Sequence, residues 1–329
     1  MLKINRRIFL NVMAGAIVAS SSHAFADDWP SRPVKIIAPF APGGTADIFA
    51  RILADNFGAT FKQPFYVESR PGAGGMIGSL DVAKADPDGY TLVISGNASH
   101  IVAPAFSPTP LYDGLNDFTH IAYLGGTPVG LVVHPSLPVK TYAEFVNYVK
   151  KSPVPVNYTS SGIGTHGFLF GEELARTDGL NLNHIPYKGG GQAMIDLIGG
   201  QVKIATITFS SVIEQVRTGK LVALAISSEY RLPGFSDVPT FVELGHPNMV
   251  SSTWFALSGP KGLPREIVDR LNRQVAVVLQ LPDVQKVLAQ SAIEVKSMSP
   301  EDTSKFFEAE TARWTPLARQ LSRLCLEKL

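Results

Sequence analysis

Val34-Lys35-Ile36-Ile37-Ala38-Pro39-Phe40-Ala41-Pro42-Gly43-Gly44-Thr45-Ala46-Asp47 is the stretch that decides the fold. Residues 34–40 are mostly apolar and β-branched and read as a strand. Pro42, Gly43 and Gly44 then break the run. Over residues 46–56 the apolar side chains Ile48, Phe49, Ile52 and Leu53 recur at helical spacing. The order is strand, glycine turn, helix, and it repeats. Residues 65–68 and 90–95 read as two more strands, with a helix over 77–85 between them. Three such units in about 70 residues predict one doubly wound α/β lobe.

A second series follows. Strands are predicted over 130–134, 156–158, 183–187, 202–207 and 221–226, alternating with helices over 142–151, 166–176, 192–198 and 211–218. Residues 232–248 are rich in proline, glycine and charge and read as a crossing segment. Another strand is predicted over 254–257, then amphipathic helices over 265–279 and 300–329. The expected organisation is an α/β chain of two doubly wound lobes. Residues 27–127 form the first lobe and 128–250 the second, and 251–329 return to the first lobe with the C-terminal helices.

The first 26 residues stand apart. Lys3, Arg6 and Arg7 precede an apolar stretch over 12–19, and Ala24-Phe25-Ala26 follows. That is the three-part layout of a secretory signal, with cleavage expected after Ala26 and the mature chain in the periplasm. The paired Arg6-Arg7 suits either the general or the twin-arginine export route. Losing those three basic residues takes the formal charge from +1 to −2. A near-neutral chain lacks the electrostatic footprint of a nucleic-acid binder. The lone Cys325 excludes an internal disulfide or a cysteine metal cluster, and it is not placed to carry a lipid anchor.

Four glycine-rich turns lie between a strand and a helix: Pro42-Gly43-Gly44-Thr45-Ala46-Asp47, Pro71-Gly72-Ala73-Gly74-Gly75, Ser160-Ser161-Gly162-Ile163-Gly164-Thr165-His166 and Tyr187-Lys188-Gly189-Gly190-Gly191. In open α/β sheets such turns sit at the carboxyl edge, where ligands bind. A helix start offers unpaired N–H groups and the positive end of the dipole. Glycine lets a ligand approach the backbone closely. A carboxylate could thus be held by backbone donors with help from the hydroxyls of Thr45, Ser160, Ser161 or Thr165. Each residue also has a structural reading. Thr45 is a good helix N-cap, and Asp47 complements the dipole in a first turn. His166 and Tyr187 could simply pack at a lobe surface.

Signatures of chemistry are missing. There is no Gly-x-Ser-x-Gly elbow, no phosphate loop and no Gly-x-Gly-x-x-Gly after the first strand. The seven histidines form no His-x-x-x-His pair, so neither a metal site nor a catalytic residue is assigned, and no cofactor is expected. Asp86-Pro87-Asp88-Gly89 lacks the glutamate of a calcium loop, Asn97 standing there, and reads as a turn.

Residues 39–47, 68–78 and 85–92, with Ser160-Ser161-Gly162-Ile163-Gly164-Thr165, His184-Ile185-Pro186-Tyr187-Lys188-Gly189, Gly199-Gly200-Gln201-Val202 and Asp237-Val238-Pro239-Thr240, occur in this order. In them the chain resembles the Bug-type periplasmic receptors of the tripartite tricarboxylate transporter system. The resemblance implies a Venus-flytrap fold of the type II periplasmic-binding-protein kind, with the ligand between two lobes joined by crossing strands. It carries ligand contact onto Phe40, Ala41, Gly43, Gly44, Thr45 and Asp47, and onto Ser160, Ser161, Gly164, Thr165 and His166. Ala73 and Tyr187 join them from the other two turns. Asp47 would meet a ligand amine or fix bridging waters. Thr206 and Thr208 fall where the family varies its pocket, commonly with aromatic, acidic or amide residues. Lys203 replaces a usual aspartate, and residues 322–329 lack the family's Ala-Gly-Ile ending.

The implied function is capture without catalysis. The solute is a small carboxylate: a dicarboxylate, a tricarboxylate, an acidic amino acid or an aromatic acid. The implied partners are membrane permease subunits, with the receptor a monomer. The alternatives are a ligand sensor acting through a sensor kinase, or an enzyme on a carboxylated substrate.

Overall fold

The computed structural model describes residues 29–187 and 190–326, with side chains up to Arg323. The expected signal segment, Lys188 and Gly189 of the fourth glycine turn, and the Cys325 side chain lie outside the described residues.

The opening unit is strand β1 (Val34–Ala38), then helix α1 (Thr45–Phe61). Strand β2 (Phe65–Ser69), helix α2 (Met76–Ala83) and strand β3 (Thr91–Gly96) follow. β1 pairs in parallel with β2 on one side and β3 on the other. Four of its five residues are buried, as expected of a central strand covered on both faces. A π-helical turn, Ala98–Val102, leads into the short helix α3 (Ala103–Phe106) and then into strand β4 (Phe118–Val133). Helix α4 (Tyr142–Lys151), strand β5 (Val156–Thr159), helix α5 (His166–Asp178), strand β6 (Leu182–Ile185), helix α6 (Gly190–Ile198) and strand β7 (Ile204–Thr208) build the second half. Helix α7 (Ile213–Arg217), strands β8 (Val222–Ile226) and β9 (Ser252–Pro260), and helices α8 (Arg265–Leu279), α9 (Pro282–Gln290) and α10 (Pro300–Leu326) complete the described chain.

The strand order is β2-β1-β3-β9-β4-β7-β5-β6, with β8 also on β4. β4 joins the two lobes. Its residues 118–128 pair antiparallel with β9, beside β3. Val129 to Val133 pair instead with β7 and β8. The second crossing runs from β8 through residues 227–251 into β9. Ser227 laces the two crossings together. Its N–H donates to the Val129 carbonyl at 2.9 Å. Its Oγ accepts from the Val129 N–H at 2.8 Å and donates to the Ser251 carbonyl at 2.6 Å.

Each lobe has its own core. Phe49, Leu53 and Phe57 of α1 pack with Ile36, Leu92 and Leu257 of the sheet and Leu271 of α8. In the second lobe Phe145, Tyr158, Phe170 and Leu174 cluster with Val129 and Leu131. A third cluster crosses between the lobes. Ile101, Val102 and Trp254 meet Phe307 and Trp314 of α10 and Leu169 of α5. The C-terminal helix therefore braces the back of the crossing strands.

α4 and α8 span the residues predicted for them. Three elements were not anticipated: the short helix α3, the first part of β4 and the whole of α9. The helix expected over 211–218 divides into a 3-10 turn at Phe209–Ser211 and α7. No helix among the described residues is long and apolar enough to cross a membrane.

Candidate functional site

The first glycine turn carries β1 into α1. Gly43 has φ +84°, a conformation that glycine adopts without strain. The N-cap is Gly44 rather than Thr45, and no side chain caps it. Thr45 is the first helical residue, and its Oγ lies 2.8 Å from the Oγ of Ser210, in the turn after β7. The Thr45 hydroxyl thus reaches across to the second lobe instead of capping its own helix. Asp47 is buried, and one of its oxygens accepts from the Gly43 N–H at 3.0 Å and from Arg51 Nε at 2.9 Å. Its other oxygen, also buried, has no protein partner. Burial raises the Asp47 pKa, but the bonds from Arg51 and Gly43 and the charge of Arg51 outweigh it, so the carboxyl stays below its ordinary value.

The second turn is tighter. Gly72, Ala73, Gly74 and Gly75 have φ of +137°, +48°, +66° and +95° in succession. A Cβ on Gly75 would sit 2.8 Å from Ser99 Cβ and 3.0 Å from Phe40 Cζ. One on Gly74 would sit 2.7 Å from Ala103 Cβ and 3.7 Å from the carbonyl oxygen of Gly164, in the second lobe. Glycine is required at both positions because their φ is left-handed and a Cβ would run into the side chains of Ala103 and Ser99.

In the second lobe the third turn ends β5 and begins α5. The Ser160 hydroxyl is fully buried, accepts from the Gly162 N–H at 3.1 Å and lies 2.9 Å from His184 Nε2. Thr165 is the N-cap: its Oγ accepts from the Phe168 N–H at 3.4 Å and donates to the Gly162 carbonyl at 2.6 Å. Gly162 has φ +126°, and a Cβ there would meet the Tyr187 carbonyl oxygen at 2.5 Å. The next residue, His166, turns its ring toward the crossing strands. Its Nε2 lies 2.8 Å from Ser251 Oγ, and its ring meets Trp314 edge-on at 4.9 Å. Burial and the charge of Arg313 press its pKa to about 3, so it is neutral at ordinary pH. The anion-binding capacity of α5 therefore rests on its first-turn N–H groups, which have no carbonyl partner within the helix.

Three of the remaining expected residues are engaged by protein. Tyr187 donates to Asp196 at 2.6 Å, and Thr206 donates to the Gly167 carbonyl at 2.9 Å. Thr208 lies 3.2 Å from Thr253 Oγ1, between β7 and β9. Phe40 packs on the first-lobe core, Ser161 is partly buried, and Ala41 is exposed at the first turn.

A cavity of about 260 Å³ separates the second and third turns. Ala73, Gly74, Met76, Ala103, Phe106 and Ser107 line it from the first lobe, Ile163 and Gly164 from the second. Two of the expected residues, Ala73 and Gly164, are in that lining. Met76, Ala103, Phe106, Ser107 and Ser210 were missed by the sequence reading. Met76 follows the second turn directly and could have been included. The other four lie far along the chain from the turns they face.

The Ser160–His184 pair, its serine buried and its histidine partly so, is the nearest approach to catalytic geometry. A nucleophile needs a base that a third group orients. Among the described residues no carboxylate hydrogen-bonds His184, and none of their His, Cys, Asp and Glu side chains form a group that could hold a metal ion.

The model of the family described as tripartite tricarboxylate transporter family receptor matches residues 49–322. Protein BugT of Bordetella pertussis is 36% identical over 296 residues, covering 90% of this chain and 91% of its own. An R. palustris protein solved with adipate is 33% identical, with a TM-score of 0.84 over 88% of this chain and 97% of that one. MatC from Rhodopseudomonas palustris, solved with bound malate, is 31% identical, with a TM-score of 0.82 over 88% and 100%. The two-lobed sheet, the glycine turns facing one another across a cleft and these likenesses agree: the chain belongs to the tripartite tricarboxylate transporter receptor family, the Bug-type periplasmic solute-binding receptors.

Proposed function

We propose that this chain captures a small carboxylate in the periplasm and presents it to the membrane subunits of a tripartite tricarboxylate transporter. The observation that carries this reading is the cavity between two glycine turns, one in each lobe, at the start of α5. The relatives solved with adipate and malate support a carboxylate as its occupant. In this reading the carboxylate accepts hydrogen bonds from backbone N–H groups of the Gly164 turn and the first turn of α5, with the Gly43 turn opposite. Asp47 holds the Gly43 turn in shape. Closure brings Thr45 to Ser210, and the solute shifts the lobes only by its preference for the closed form. The protein performs no chemistry on the solute. Residues 1–26 direct export and are removed after Ala26, and the mature protein acts as a monomer.

Isothermal titration of the unliganded mature protein against di- and tricarboxylates, amino acids, and aromatic and branched-chain acids tests the capture step. At least one carboxylate is expected to bind and to be recovered unchanged. Silence across the whole panel defeats the reading. For delivery, a strain lacking the gene should lose uptake of that solute and regain it from the full chain, but not from one lacking residues 1–26. Unimpaired uptake with loss of induced gene expression would transfer the role to sensing.

A further inference from the structure

The receptor reading leaves the solute's other end unassigned, and the cavity speaks to it. Its lining side chains are Ala73, Met76, Ala103, Phe106, Ser107 and Ile163, and none carries a charge. The one hydroxyl is already engaged. Ser107 Oγ donates to the Thr109 carbonyl at 2.9 Å and accepts from the Thr109 N–H at 3.3 Å. A second carboxylate in this space would find no cationic or free hydroxyl partner among the lining side chains.

An apolar group meets the opposite situation. Met76, Ala103, Phe106 and Ile163 offer carbon surface in the lining. Phe106 is held edge-on against Phe168 at 5.4 Å, which fixes the aromatic wall. Phe168 is on α5, two residues beyond His166, so the apolar wall and the carboxylate donors are braced by one helix. Ile163, half exposed at 50%, closes the second-lobe side. The cavity volume of about 260 Å³ lies below the range of about 300–1,000 Å³ of drug-sized sites and suits one ring or a short branched chain.

We propose that the solute is a monocarboxylate with an apolar body, of the size of benzoate or isovalerate, and not a di- or tricarboxylate. This inference rests on the receptor reading above and narrows it. The carboxylate faces the Gly164 turn, and the ring or branched chain lies against Phe106, Ala103 and Met76.

The test is titration of the unliganded mature protein with benzoate, isovalerate, adipate, malate and citrate under one set of conditions. The tighter of benzoate and isovalerate is expected to bind at least tenfold more strongly than adipate, malate or citrate. Equal or stronger binding of any of those three overturns the inference and leaves the receptor reading standing. Failure of all five to bind overturns it as well, and if the wider panel is also silent the receptor reading falls with it. The Ile163→Lys variant supplies a second arm, since a half-exposed side chain tolerates the change. It is expected to weaken the better monocarboxylate by about tenfold and to strengthen adipate. Unchanged monocarboxylate affinity in a folded Ile163→Lys protein also overturns the assignment.

Discussion

The Oγ of Thr45, at the start of α1, and the Oγ of Ser210, in the turn after β7, lie 2.8 Å apart and join the two lobes across the cleft. A bond of this kind exists only while the lobes are together. It adds to the stability of the closed form and nothing to the open one. A neutral intramolecular hydrogen bond contributes about 0.5–1.5 kcal/mol net. Thr45→Val and Ser210→Ala are each expected to weaken solute binding by about two- to tenfold. The double variant should be no weaker than the worse single one, because both changes remove the same bond. Additive losses in calorimetry would show that the two hydroxyls act separately.

Asp47 faces two ways. One oxygen ties the Gly43 N–H and Arg51, and the other is buried without a protein partner. The first oxygen is structural: losing a bond at a helix start costs about 1 kcal/mol. The second is sealed from solvent and makes no bond within the protein. Asp47→Ala is expected to lower the melting temperature by a few degrees and to weaken solute binding by tenfold or more, since the Gly43 turn loses its brace. A variant that melts earlier yet binds normally would reduce Asp47 to a helix brace.

Ser227 is a single point of failure for the crossing strands. Its hydroxyl accepts from the Val129 N–H and donates to the Ser251 carbonyl, and it is fully buried. Ser227→Ala leaves two buried backbone groups without that partner, at about 1–3 kcal/mol each. Chemical denaturation should report a loss of about 2–6 kcal/mol with the slope unchanged. The fitted closing rate of the lobes should change as well, since Val129 lies where β4 passes from β9 to β7. A loss below about 0.5 kcal/mol would mean that water replaces the hydroxyl.

What was legible in the sequence was local. The β1 strand, the Gly43 turn and α1 are contiguous, and their apolar spacing and glycines carry the information directly. The first part of β4 was hidden because Gly125, Gly126 and Pro128 look like a turn. They are strand residues instead, and the glycines admit crossing backbone. Gly126 pairs with Glu294, and a Cβ on Gly125 would lie 2.8 Å from the Glu294 carbonyl oxygen. At the site the turns were legible and the use of their side chains was not. Thr165 caps its own helix and Ser160 binds within its own loop, whereas Thr45, expected as a cap, reaches across to Ser210. Ala103 and Phe106 come to the cavity through a tertiary approach that no local pattern records.

Three buried histidines and a partly buried one, His184, set the acid limit of the fold. Burial holds His120 and His184 at about 4 and His166 at about 3, the last helped by the charge of Arg313. His100 is held well below its usual value by burial and by His120. In the unfolded chain each ring takes up its proton near pH 6.5. Above that pH both states are neutral and the histidines contribute no pH dependence. Between pH 6.5 and about 4 the unfolded chain binds more protons, so acidification favours unfolding by about 1.4 kcal/mol per pH unit per ring. Asp47, whose carboxyl is below its ordinary value, adds a loss in the same direction, but only below about pH 4. The melting temperature is therefore expected to be level from pH 8 to 6.5 and to fall progressively below that. His184→Gln, which can still bond Ser160, should remove about one quarter of the slope. A melting temperature that stays level down to about pH 4.5 would show that the imidazoles gain their protons inside the folded protein.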